Sequence, residues 1–104
     1  MKLNQLDKID ICGYVFKIEW DKTHSGGSFF FKDRTIIIGS SRIKTNVEIT
    51  FMILMHELSE IIHLILNTRY QDPSCDTNYK FFLDHKEFEN HNTILSSILT
   101  KFIK

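Results

Sequence analysis

The chain has 104 residues, with 13 Lys plus Arg against 13 Asp plus Glu and a hydrophobic content of 42%. That balance removes any bulk electrostatic pull toward nucleic acid or an anionic membrane surface. The length suits a single domain, residues 1–104, with a modest core.

The first ten residues are polar and lack the apolar run of a signal peptide. Cys12 and Cys75 stand far apart and form no CxxC pair, so a reducing compartment is the simpler expectation. Next comes Tyr14-Val15-Phe16-Lys17-Ile18-Glu19-Trp20, which alternates with Tyr14, Phe16, Ile18 and Trp20 on one face. That is the pattern of a half-buried strand. His24-Ser25-Gly26-Gly27-Ser28 reads as a turn, with His24 solvated. Phe29–Phe31 and Thr35–Ile38 are strand-like and make a hairpin through Lys32-Asp33-Arg34.

Thr45-Asn46-Val47-Glu48 fits a capping box with Thr45 as N-cap. A helix over about 46–67 should follow. A connecting loop over 69–78, holding Asp72-Pro73, leads through Phe81-Phe82-Leu83 to a second helix from about Asp84 to Ile103. The apolar stripe of that helix is Phe88, Leu95, Ile98, Leu99 and Phe102. The layout is β-β-β-α-loop-α: a small α+β domain whose three-stranded N-terminal sheet packs against two helices. The apolar run near residue 50 is broken by charges and short for a membrane span. A cytoplasmic protein without membrane or nucleic-acid partners is expected.

The chemistry concentrates in His56-Glu57-Leu58-Ser59-Glu60. The surrounding run from Ile49 to Leu66 is almost wholly apolar, as in a helix buried on every side. Burying a histidine and two carboxylates is costly unless something pairs with them, and a metal ion would do so. Residues i and i+4 lie about 40° apart around a helix, so His56 and Glu60 can share one ion. Glu57 lies about 100° from His56, where the HExxH pattern of zinc peptidases places its general base. The pattern here is HExxE. Such a short pattern also recurs on acidic helices, where either glutamate is a plain surface charge.

His85 at the start of the second helix is the candidate third ligand, with Glu89 one turn on to ligate or orient it. His63 completes an ExxH with Glu60. A di-iron bundle would need a second ExxH, which the chain lacks. His63 therefore reads as a partner of Glu60 or an alternative ligand, and His91 as a core histidine with one hydrogen bond.

Three segments now carry a family resemblance: Ile36-Ile37-Ile38-Gly39, Leu54 through Ile62, and Asp84-His85-Lys86-Glu87-Phe88-Glu89. Strands, a helix with HE-x-x-(H/E), then a later helix with a third ligand resembles the small zincin-like proteins related to the ImmA/IrrE type. The resemblance implies a zinc-dependent peptidase fold with His56, Glu60 and His85 as ligands and Glu57 as base. It also implies that the Phe29–Ile38 hairpin receives an extended peptide by strand addition. Glu60 departs from the histidine usual in such peptidases. A carboxylate there makes zinc a weaker acid and suits Fe²⁺ or Mn²⁺ better than histidine does.

The leading expectation is a zinc-dependent hydrolase acting on a cytoplasmic peptide or protein. The alternative is an inactive zincin-like protein-binding module whose metal is structural or missing. A third possibility is a small interaction protein in which His56 and Glu60 pair with each other. A Cys75–His85 nucleophile pair lacks the group that would orient it.

Overall fold

The computed structural model describes residues 1–67, 69–71, 79–81 and 84–104. The fold is α+β. Strand β1 (Lys8–Ile11) turns into β2 (Tyr14–Asp21) through Cys12 and Gly13, both at positive φ (53° and 90°). That is the two-residue hairpin loop whose twist suits antiparallel strands. The Gly13 amide donates to Asp10 Oδ1 at 2.8 Å and fixes the turn. Strands β3 (Gly27–Phe30) and β4 (Thr35–Gly39) form the expected hairpin, with Phe29 opposite Ile36.

The sheet has four strands in the order β1-β2-β4-β3, one more than the three expected. The sequence reading missed β1 because Lys-Ile-Asp-Ile offers only four residues and two inward side chains. β4 lies parallel to β2 and antiparallel to β3, so β3 is left on the outer edge. A second, two-stranded sheet pairs β5 (Arg69–Gln71) with β6 (Tyr79–Phe81), where a loop over 69–78 was expected. Strands of three residues are too short to show a period. Asp72-Pro73, Cys75, Phe82 and Leu83 lie outside the described residues.

Helix α1 (Val47–Ile65) lays Leu54, Leu58, Ile61 and Ile62 on the sheet, where they join Phe16, Ile18, Ile36 and Ile38 in the core. Its N-cap is Asn46, not Thr45, and no side chain caps it. The Thr45 hydroxyl donates instead to the Arg42 carbonyl at 3.4 Å, because the preceding turn claims it first. α1 is also not buried on every side. Met52 is 61% exposed, and Met55 and His56 are open as well. The sheet and the second helix cover only part of its circumference, and methionines make up much of the uncovered apolar surface.

Helix α2 (His85–Leu99) begins at Asp84, whose carboxylate accepts from the Glu87 amide at 2.7 Å. It tightens into a 3₁₀ turn at Thr100–Phe102 before Ile103. Ile98 and Phe102 are buried, but Phe88 is 51% exposed rather than part of the buried stripe. Residues 84–90 are exposed, and α2 meets α1 at His91, against Ser59 and His63. No helix among the described residues is long and apolar enough to cross a membrane.

Candidate metal centre

One turn of α1 sets the site. His56 Nε2 stands 2.8 Å from Glu60 Oε2 and 3.8 Å from Glu57 Oε2. One ligand atom from each of the three residues falls within 4.8 Å of the others. Exposure falls across the set: the His56 side chain is 67% exposed, Glu60 20% and Glu57 7%.

Glu57 owes its burial partly to Gly27 at the start of β3. A Cβ on Gly27 would lie 2.7 Å from Ile53 Cγ2 and 3.0 Å from Glu57 Cγ. Only a residue without a side chain lets the edge strand come that close to α1. A cavity of about 320 Å³ lies here, bordered by Gly27, Met52, Ile53, His56 and Glu57. Gly27 was not singled out in the sequence. A glycine at the mouth of a strand, next to a second glycine, was the available signal.

The donor set suits a divalent cation. Zinc holds nitrogen and oxygen ligands at about 2.0–2.2 Å, which puts tetrahedral neighbours about 3.3 Å apart. The observed 2.8 and 3.8 Å bracket that value. One imidazole nitrogen and carboxylate oxygens are donor types that a divalent cation accepts. The 2.8 Å contact is equally the geometry of a plain ion pair, and such a pair at this exposure contributes little to stability.

His85 does not join this group. Its side chain is 86% exposed, and its Nε2 lies 2.9 Å from Glu89 Oε1. Glu89 thus orients His85, as its i+4 spacing suggested, but the pair stands apart from His56 and Glu60. The sequence reading put His85 at the seam between the helices, whereas its side chain is exposed to solvent.

His63 is buried and stacks on His91, with ring centroids 4.1 Å apart and planes 29° from parallel. Burial first, and then repulsion by His91, pull the His63 pKa down to about 4. Burial lowers His91 as well. Both rings are therefore neutral near pH 7. His91 Nε2 lies 3.1 Å from Ser59 Oγ, and its Nδ1 has no hydrogen-bond partner. The expected core histidine with one hydrogen bond is what the structure holds. Ser59, an unassigned letter of HExxE, is its partner. The stacking was hidden from sequence because it depends on how two helices 28 residues apart face each other.

His24 is solvent-exposed as expected, and its Nδ1 also pairs with Asp21 Oδ2 at 2.8 Å. The Thr23 hydroxyl and amide, then His24, hold the Asp21 carboxyl below its ordinary value. A second cavity, of about 530 Å³, opens between α1 and α2 on the other side of His56 and Glu60.

No known family model, curated protein or solved structure matches this chain.

Proposed function

We propose that the protein is a metal-dependent hydrolase of peptides or proteins, with His56 and Glu60 holding a divalent cation, zinc first. The observation that carries the reading is the His56–Glu57–Glu60 group under an edge strand, with its middle carboxylate buried. When bound, the cation would acidify a water and polarise a carbonyl. Glu57 takes the proton from the attacking water and returns it to the leaving amine. Its burial keeps that carboxylate away from bulk solvent, where proton transfer is less directed. Among the described residues β3 pairs with β4 alone, and the 320 Å³ cavity adjoins it, so an extended peptide would add along the outer side of β3. With Glu57 as base, His56 and Glu60 would be the two protein ligands among the described residues, since His85 is held on Glu89 apart from them. Fe²⁺ or Mn²⁺ would also suit the two carboxylates. Cys12 is an exposed free thiol, which supports a cytoplasmic setting and substrate.

A second reading has its own observation. All three side chains lie close enough to ligate together, Glu57 included. Glu57 would then be a ligand and not a base, and the domain a binding module with a structural ion. Glu57→Gln separates the two. The hydrolase reading expects zinc stoichiometry to be unchanged and cleavage of unfolded protein substrates to fall about 10²–10⁴-fold. Loss of zinc in Glu57→Gln would establish the ligand role and end the hydrolase assignment of Glu57.

A further inference from the structure

The larger cavity lies beside the metal centre, on the face of α1 away from the edge strand. His56 and Glu60 border it, so whatever sits in it touches the same two side chains that hold the cation. Met52, Met55, Phe88 and Leu95 supply its apolar surface. Three of these, Met52, Met55 and Phe88, are large hydrophobic side chains left exposed, at 61%, 38% and 51%. Exposed apolar side chains scattered singly need no explanation, but three around one cavity form a patch that does. The buried His63–His91 stack lies deeper.

The lining also says what is kept out. Among the described lining residues there is no Lys or Arg, and Glu60 is the one acid. An acidic side chain entering here meets the carboxylate of Glu60. A basic one competes for the carboxylate that the metal needs. The volume of about 530 Å³ falls within the range of small-ligand sites and holds one large side chain with its flanking backbone. Methionine walls favour aromatic rings through sulfur contacts and adapt to aliphatic ones.

We propose that this cavity is the specificity pocket of the candidate hydrolase, taking a large uncharged apolar side chain, aromatic or leucine-like, next to the bond that is cut. The peptide backbone then runs along β3 over Glu57, and the neighbouring side chain crosses His56 and Glu60 into the space between the helices. The inference rests on the reading of His56 and Glu60 as metal ligands. It goes beyond that reading by naming the substrate class.

The test uses amino-acid hydroxamates, which attach to a bound metal whatever their side chain. Zinc content of the full chain is measured first, then binding of the glycine, aspartate, leucine and phenylalanine hydroxamates by calorimetry. The expected result is one zinc per chain, with leucine and phenylalanine bound at least about tenfold tighter than glycine, and aspartate weaker than glycine. Phe88→Ala, at an exposed position, should lower the phenylalanine-to-glycine ratio several-fold with zinc retained. Asn92→Trp, also exposed and on the cavity border, should block the large side chains and spare glycine. Zinc bound with equal affinities across the series overturns the pocket alone. A ratio unmoved by both variants does the same. Protein that binds no zinc overturns the metal reading and the pocket with it.

Discussion

The backbone of Gly27 lies directly against the side chain of Glu57, so close that a Cβ on the glycine would stand 3.0 Å from Glu57 Cγ. The relationship joins the edge strand to the candidate base. It also makes Gly27 a sensitive position. Gly27→Ala must displace the Ile53 and Glu57 side chains or push β3 off α1, because the added methyl would also lie 2.7 Å from Ile53 Cγ2. Overpacking of this kind costs about 1–3 kcal/mol. Gly26→Ala is the control, since nothing lies within 4 Å of a Cβ there. Urea unfolding of both variants should show a clear loss for Gly27→Ala and a change within about 0.5 kcal/mol for Gly26→Ala.

Metal retention should follow the geometry and not the sequence motif alone. His56→Ala and Glu60→Ala are expected to lose bound zinc after dialysis, as each removes one of two ligands. His85→Ala should keep it, because that ring is paired with Glu89 outside the group. Plasma mass spectrometry of the three proteins gives the answer. Zinc lost from His85→Ala would show that α2 closes onto α1 when a cation binds.

The stacked histidines predict an acid sensitivity with a defined window. In the unfolded chain each takes a proton near 6.5, but His63 in the folded chain does so only at about 4 and His91 also below its ordinary value. The unfolded state therefore binds more protons as the pH falls, and stability falls with it. The contribution is fully present above about pH 6.5 and is lost as the pH drops toward about 4, where His63 itself protonates. Ordinary carboxylates stay ionised between pH 6.5 and 5, so the histidines can be read there with little interference. Denaturation in chelator, repeated on His63→Gln, should show a shallower slope in the variant. Each fully coupled histidine can supply at most about 1.4 kcal/mol per pH unit.

Ser59→Ala tests the same pair from the other side. It removes the hydroxyl 3.1 Å from His91 Nε2, while Nδ1 already lacks a partner. A buried ring with neither nitrogen bonded should cost about 1–3 kcal/mol. Zinc content should not change, which separates this role of the HExxE segment from the ligand role.

Much of the fold could be read before any coordinates. The alternation of β2, the Phe29–Ile38 hairpin, the long helix with its charged turn and the start of the second helix near Asp84 all follow from local sequence pattern. The contact between His56 and Glu60 follows from helix geometry alone. What escaped depends on residues meeting across elements. The placement of β4 between β2 and β3, the seat of Gly27 on Glu57 and the His63–His91 stack have no local signature. His85 shows the opposite error: a helical wheel gives its azimuth on α2 but not how far that end of α2 stands from α1.

The edge position of β3 has a dynamic consequence. β4 keeps β2 as a neighbour if β3 lifts away, and β2, β4 and α1 share the core residues Phe16, Ile18, Ile36, Ile38, Leu54 and Leu58 without it. β3 brings only four residues, with Phe30 half exposed. Its amides should then exchange with solvent through a partial opening of lower free energy than the one that releases β4. Each such opening wets Glu57. The hydration of the Glu57 carboxylate is thus set by the breathing of one short strand, on a clock separate from the unfolding of the domain.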